Sequence, residues 1–225
     1  MTRHNLAVLA SGRGSNFQAI IDAVANGYLP HVTIRVLVTD NPGAYALDRA
    51  RQHGIEPMVL TPRQFSSRSE YYNAIADEFR KRDVSLVVLA GFMRIVGKEL
   101  IQAFPNRIMN IHPALLPSFP GLHGQKQALD YGVRVSGCTV HFVDEGMDTG
   151  PVIIQAAVPV LDDDTEETLS SRILTYEHQI YPEAIRLFAE GRLEVSGRRV
   201  IIKGAAAGEA GLIAPPLPAD PFPRQ

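Results

Sequence analysis

The sequence predicts an α/β fold: a mostly parallel twisted sheet with helices on both faces and antiparallel additions in the C-terminal half. Through the first half of the chain, short apolar runs alternate with segments of helical period, the pattern of successive βα units. A glycine-rich turn follows the first of those runs. After His112 the alternation gives way to a proline-rich loop and then to two neighbouring strand-like runs.

Residues 6–10 are apolar throughout, as in a strand buried on both faces. Residues 11–15 form the glycine-rich turn, with Ser15 available as a helix cap. Phe17, Ile20, Ile21 and Val24 then recur at helical spacing until Asn26-Gly27 ends the helix. Residues 32–39 are rich in β-branched side chains and read as the second strand. Residues 44–53 read as a helix stopped by Gly54, and 57–60 as a short strand.

A polar loop over 61–67 leads into a helix whose inner face carries Tyr72, Ile75, Ala76 and Phe79. Residues 86–90 are the fourth buried strand, 98–104 a short helix and 108–111 the fifth strand. This is a Rossmann-like arrangement. Pro113, Pro117, Pro120 and Gly121 then mark a long loop, of the kind usually kept for function or motion.

A short helix is expected over 125–131, with strands over 137–143 and 152–160. Asp164-Thr165-Glu166-Glu167 opens a long helix with the look of a capping box. Leu169, Ile173, Tyr176 and Ile180 form its expected apolar stripe, and Pro182 should kink it. Residues 193–202 suggest a small terminal hairpin, and 204–225, rich in Ala, Gly and Pro, a disordered tail.

The 225 residues suffice for a sizeable core, and the net charge of -2 gives no electrostatic footprint for nucleic acid or anionic membranes. No apolar stretch approaches the length of a membrane span, and the N-terminal apolar run is too short for a secretory signal. The single cysteine, Cys138, allows no internal disulfide, which is compatible with a reducing, cytoplasmic location.

Three constellations carry chemistry. The first is Ser11-Gly12-Arg13-Gly14-Ser15-Asn16, between the first strand and first helix. Glycines there let backbone N–H groups point at an anion, and the helix start adds positive potential. Phe17 stands where the dinucleotide fingerprint needs its third glycine, and the Gly-Lys-Ser/Thr ending of a Walker loop is missing. A phosphate monoester suits the turn better than a pyrophosphate; a plain tight turn is the structural alternative.

The second is Asn110-Ile111-His112, at the end of the fifth strand. Residues i and i+2 of a strand share a face, so Asn110 and His112 point the same way. An amide donating to a developing oxyanion beside a titratable imidazole suits acyl transfer. The third is the run from Asp144 to Pro151, where Asp148 would orient His112 if the strand ends converge. A solvated turn is the simpler reading. An EF-hand loop fails on ligand spacing, the histidines lack metal-ligand spacing, and no Gly-x-Ser-x-Gly elbow supplies a nucleophile. Direct attack by one bound substrate on another remains.

These motifs, with Leu89-Ala90-Gly91-Phe92-Met93-Arg94-Ile95, the continuation of the strand end through Pro113 to Pro117, Gly121-Leu122-His123, Thr139-Val140-His141-Phe142-Val143, Met147-Asp148-Thr149-Gly150-Pro151 and Glu177-His178-Gln179-Ile180-Tyr181-Pro182, resemble the glycinamide ribonucleotide formyltransferases, folate-dependent enzymes of purine synthesis. The resemblance runs from about residue 6 to about residue 193. It implies formyl transfer from 10-formyltetrahydrofolate to the amine of glycinamide ribonucleotide, with no metal. By the same resemblance Asn110, His112 and Asp148 are the catalytic trio. Gly14, Ser15, Asn16 and Glu177 bind the substrate's phosphate and ribose. Arg68, Met93, Arg94, Ile95, Val96, Asn110 and the loop Asp144, Glu145, Gly146, Met147 and Asp148 line the folate site.

The expected organisation is one domain over 1–203, with a phosphate-binding half (1–105) and a folate and catalytic half (106–203), as a monomer or homodimer. Other readings stay open. A formyltetrahydrofolate hydrolase would call for an N-terminal regulatory domain, and a methionyl-tRNA formyltransferase for a C-terminal β domain and a basic surface. A nicotinamide oxidoreductase has only the first turn and Asp40, an acid at the end of the second strand, in its favour. A non-catalytic nucleotide-binding protein would keep the phosphate turn and tolerate loss of His112.

Overall fold

The computed structural model describes residues 3–204 and Ala214; the expected tail lies almost wholly outside the described residues. In chain order the strands are β1 (His4–Leu9), β2 (Val32–Thr39), β3 (Glu56–Val59), β4 (Val84–Leu89), β5 (Ile108–His112), β6 (Val135–Phe142), β7 (Val152–Pro159), β8 (Leu193–Ser196) and β9 (Arg199–Ile202). The helices are α1 (Ser15–Ala25), α2 (Ala46–Gln52), α3 (Arg68–Lys81), α4 (Lys98–Ala103), α5 (Gly124–Tyr131) and α6 (Glu166–Ala189).

All nine strands join one sheet in the order β3-β2-β1-β4-β5-β6-β7-β9-β8. β1 to β5 pair in parallel, and β5, β6 and β7 pair antiparallel. The terminal hairpin extends this sheet, β9 meeting β7 through the Val152–Arg199 pair.

Period-two alternation in β1 divides the core. Leu6, Val8 and Ala10 face a cluster with Phe17 and Ile20 of α1, Leu47 of α2 and Leu169 and Ile173 of α6. Ala7 and Leu9 face the opposite cluster, with Tyr71, Tyr72, Ile75 and Phe79 of α3 and Leu100 of α4. Both faces of the parallel strands are therefore covered, which is why those strands read as unbroken apolar runs.

β1 lies between β2 and β4, so the connections leave it in opposite directions. That is a topological switch point, where an open α/β sheet opens a crevice at the strands' carboxyl ends. The turns after β1 and β4 and the end of β5 all reach this edge.

The inner face of α6 departs from the expected stripe. Leu169 and Ile173 are buried, but Tyr176 is exposed, and Glu177 and Tyr181 take the inner positions. Steps of four residues keep one helical face inward. The Tyr181 hydroxyl donates toward the carbonyls of Leu89 and Met109, each at 2.9 Å, at the ends of β4 and β5. The α-helical assignment continues through Pro182 to Ala189.

Candidate active site

The phosphate-type turn is built as the glycines suggested. Gly14 sits at φ 69° as the N-cap of α1, which has no side-chain cap, so Ser15 does not serve as one. A Cβ at Gly14 would lie 2.9 Å from that of Ala46, so close packing on α2 also demands glycine. Gln18 is the first residue to bond back, to the Gly14 carbonyl, which leaves the preceding helical N–H groups without intrahelical acceptors.

These residues line a cavity of 770 Å³, together with Gly91, Met93, Ile111, Pro113, Gln125, Glu166, Glu167 and Glu177. Asn16 donates from Nδ2 to Glu177 Oε2 at 2.7 Å, while its Oδ1 is buried without a partner among the described residues. Burial pushes the Glu177 carboxyl above its ordinary range, partly opposed by the Asn16 hydrogen bond. A separate groove of 590 Å³ between α1 and α6 contains Ser15, Asp22, Tyr28, Arg49 and His178; Asn110, His112 and Asp148 line neither cavity, and the larger one reaches the end of β5 only through Ile111 and Pro113.

Asn110, His112 and Asp148 come together. β5 and β6 pair Asn110 with His141 and His112 with Thr139, placing those side chains on one face of the sheet. The Asp148 carboxylate lies between two imidazoles, 3.4 Å from His112 Nδ1 and 3.8 Å from His141 Nε2. Asp148 has φ 54°, in the left-handed region, and its Oδ2 accepts from the Gly121 N–H at 2.8 Å. The loop after β5 therefore helps hold the acid.

The hydrogen bonds assign the tautomers. His141 Nδ1 is 2.8 Å from the Phe142 carbonyl, which only accepts, so Nδ1 carries hydrogen. Desolvation lowers the His141 pKa, opposed by its backbone hydrogen bond and by Asp148, and keeps the ring neutral. Nε2 is then an acceptor, and Asn110 donates to it from Nδ2 at 3.2 Å. His112 Nε2 donates to the Phe119 carbonyl at 2.8 Å, while Nδ1 faces Asp148.

His141 is the functional candidate that residue patterning overlooked. Its place opposite Asn110 depends on the β5–β6 register; the run Thr139-Val140-His141-Phe142-Val143 carries part of the resemblance, but the run itself assigns His141 no role. Thr139 on the same face anchors the loop: its Oγ1 donates to the Ala114 carbonyl at 2.7 Å and accepts from the Leu116 N–H at 3.1 Å.

The remaining candidates divide. Met93 and Ile95 are exposed beside the crevice, but Val96 is buried and turns into the core. Arg68 Nη2 donates to the Ile95 carbonyl at 2.8 Å, and Tyr72 donates to the same oxygen at 2.7 Å. Arg94 pairs with Asp40, Nε to Oδ2 at 2.5 Å. Asp144 Oδ1 accepts from the Gly146 N–H and Thr149 hydroxyl, shaping the loop in which Glu145, Gly146 and Met147 are exposed. Among the described residues, no three His, Cys, Asp or Glu side chains form a metal-binding group. No described helix is long and apolar enough to cross a membrane.

Residues 4–185 match the family model for formyl transferases. The chain belongs to the formyl transferase family. The transferase is 43% identical over 212 residues to the phosphoribosylglycinamide formyltransferase of Escherichia coli, covering 91% of this chain and 100% of the relative. It is 45% identical over 197 residues to the trifunctional purine biosynthetic protein adenosine-3 of Drosophila melanogaster, where the match covers 86% of this chain but only 14% of that protein.

Its backbone is similar to glycinamide ribonucleotide transformylase 1 from Symbiobacterium toebii, with TM-score 0.87 and 52% identity over 89% of this chain and 94% of that one. At 22% identity, the fold alone recurs in a formyltetrahydrofolate deformylase from Pseudomonas syringae, with TM-score 0.82 over 89% of this chain and 66% of that one.

Proposed function

We propose that this transferase moves a formyl group from 10-formyltetrahydrofolate to the amine of glycinamide ribonucleotide, a step of purine biosynthesis. The observation that carries the chemistry is the Asp148 carboxylate set between His112 and His141, with Asn110 hydrogen-bonded to His141. Kinship at 43% identity along the whole E. coli relative supports the formyl group and the phosphoribosylglycinamide acceptor.

In this reading the ribonucleotide phosphate lies against Gly14, Ser15 and Asn16, and Glu177 takes a ribose hydroxyl. The formyl-folate lies between the wall at Met93, Arg94, Ile95 and Val96 and the loop from Asp144 to Asp148, with Arg68 toward its tail. Val96 contributes backbone, because its side chain is in the core. The substrate amine attacks the formyl carbon, forming a C–N bond and a tetrahedral oxyanion. Asn110 and the His112 Nε2–H donate to that oxygen.

The Phe119 carbonyl now occupies the acceptor position on His112 Nε2, and the formyl oxygen replaces it there. Asp148, facing His112 Nδ1, orients the ring and takes the amine proton. The oxyanion then collapses, the bond to the folate nitrogen breaks, and that nitrogen leaves with the proton that Asp148 took from the amine, which returns the carboxylate. Each oxyanion donor of this kind is typically worth ~3–4 kcal/mol in the transition state.

Steady-state kinetics test the roles. His112→Ala and Asp148→Asn should each lower kcat by about 100-fold or more. Turnover near wild type in either variant would remove that residue from the mechanism.

A further inference from the structure

Asp40 is an acid at the end of β2 that neither substrate site claims. In a dinucleotide-binding fold an acid there would face a ribose diol. Here both carboxylate oxygens serve the protein itself. Oδ1 accepts from the Ser11 hydroxyl at 2.6 Å, and Oδ2 accepts from Arg94 Nε at 2.5 Å. The Asp40 side chain is only 9% exposed, so the charge-assisted pair is shielded from solvent on the acid's side.

Ser11 completes the connection. Its hydroxyl, while donating to Asp40, accepts from the Met93 N–H at 3.0 Å. Its own N–H donates to the Gly91 carbonyl at 3.0 Å, and its carbonyl accepts from Asn41 Nδ2 at 3.0 Å. Ser11 begins the turn on the phosphate side, while Gly91, Met93 and Arg94 belong to the segment after β4. The ends of three neighbouring strands, β2, β1 and β4, are thus tied through one carboxylate and one hydroxyl.

We propose that Asp40 is a positioning residue, which fixes the wall from Gly91 to Val96 through Arg94 and secures it to the phosphate-side turn through Ser11. The proposal rests on the assignment of that wall to the formyl-folate site. Arg94 then acts through its ion pair rather than as a side-chain contact to the folate. The exposed Met93 and Ile95 flank it and take their positions from it. Without this pair the wall keeps only its bonds to Ser11, Arg68 and Tyr72 and has more conformations to lose when the folate binds, so the defect falls on folate affinity.

Two variants cut the same link from opposite ends. Asp40→Asn keeps an acceptor for Ser11 and loses the charge pair; Arg94→Ala removes the cation. Each should raise the KM for 10-formyltetrahydrofolate about tenfold, as expected for loss of one charge-assisted hydrogen bond. The KM for glycinamide ribonucleotide should move less than about twofold. The double variant should be no worse than either single, since both remove one interaction. Arg94→Lys, which retains a cation, should recover most of the folate KM.

A merely structural defect lowers the active fraction, and with it kcat, while leaving both KM values in place. An Arg94→Ala effect without a matching Asp40→Asn effect would mean direct folate contact by Arg94 and would overturn the positioning role. Additive effects in the double variant would overturn it equally. A wild-type protein that does not turn over formyl-folate would sink the proposed function itself, and the positioning role with it.

Discussion

Asp148 owes its role to its surroundings: two imidazoles within 3.8 Å and a backbone N–H donated from Gly121. His141 is the less obvious partner, and its buried neutral ring makes a pH prediction. Because desolvation depresses its folded pKa below the ordinary 6.5, its contribution to stability is present above that value. As pH falls, the unfolded chain takes up a proton that the folded ring resists, so stability is lost toward acid. Urea midpoints measured from about pH 7.5 down to about pH 5.5 should fall for wild type, and His141→Gln should flatten part of that fall. Profiles of identical slope would contradict a neutral buried His141.

At the residue scale, the shared face of Asn110 and His112 was legible because strand geometry is local. The approach of Asp148 was not, since a residue in another loop is placed only by the sheet. The lone Cys138 agrees with its apolar setting: burial pushes its thiol up to about 12, which leaves no thiolate for chemistry.

At the scale of elements, α6 shows what sequence patterning reads and what it misses. The capping motif was legible, but the box closes between Thr165 and Thr168 rather than onto a glutamate. Asp164 instead accepts from Arg172 through both oxygens, at 2.6 and 2.8 Å, and from the Leu161 N–H at 2.8 Å. The Arg172 guanidinium holds its carboxyl well below the usual carboxylate range.

Glu177 and Tyr181 were missed as inward residues because apolar patterning cannot foresee buried polar groups with partners. Those partners, Asn16 and the carbonyls of Leu89 and Met109, come from distant elements. We expect Asp164→Ala to destabilise the protein by about 1–3 kcal/mol, because it strands Arg172 and removes the acceptor of the Thr168 hydroxyl beside the cap. Chemical denaturation checks this; a loss below about 0.5 kcal/mol would show that the start of α6 holds without the acid.

For the whole molecule, the alternation of β and α segments was enough to predict the parallel sheet, and the change of rhythm after His112 predicted the antiparallel strands. The order of strands was not written in any local pattern. It is this order, with β1 between β2 and β4, that opens one crevice onto the phosphate-side turn, the wall after β4 and the end of β5. The terminal hairpin was expected, but its attachment to β7 depends on a single residue pair that no local pattern reveals.

If the crevice joins a formyl-folate donor to an amine acceptor, loss of the donor is coupled to the presence of the acceptor. The most direct measurement follows 10-formyltetrahydrofolate consumption with glycinamide ribonucleotide present and then omitted. Coupled transfer requires stoichiometric formylation of the ribonucleotide when both are present and no significant consumption of the donor without the acceptor. Donor consumption at an equal rate without the acceptor would contradict it.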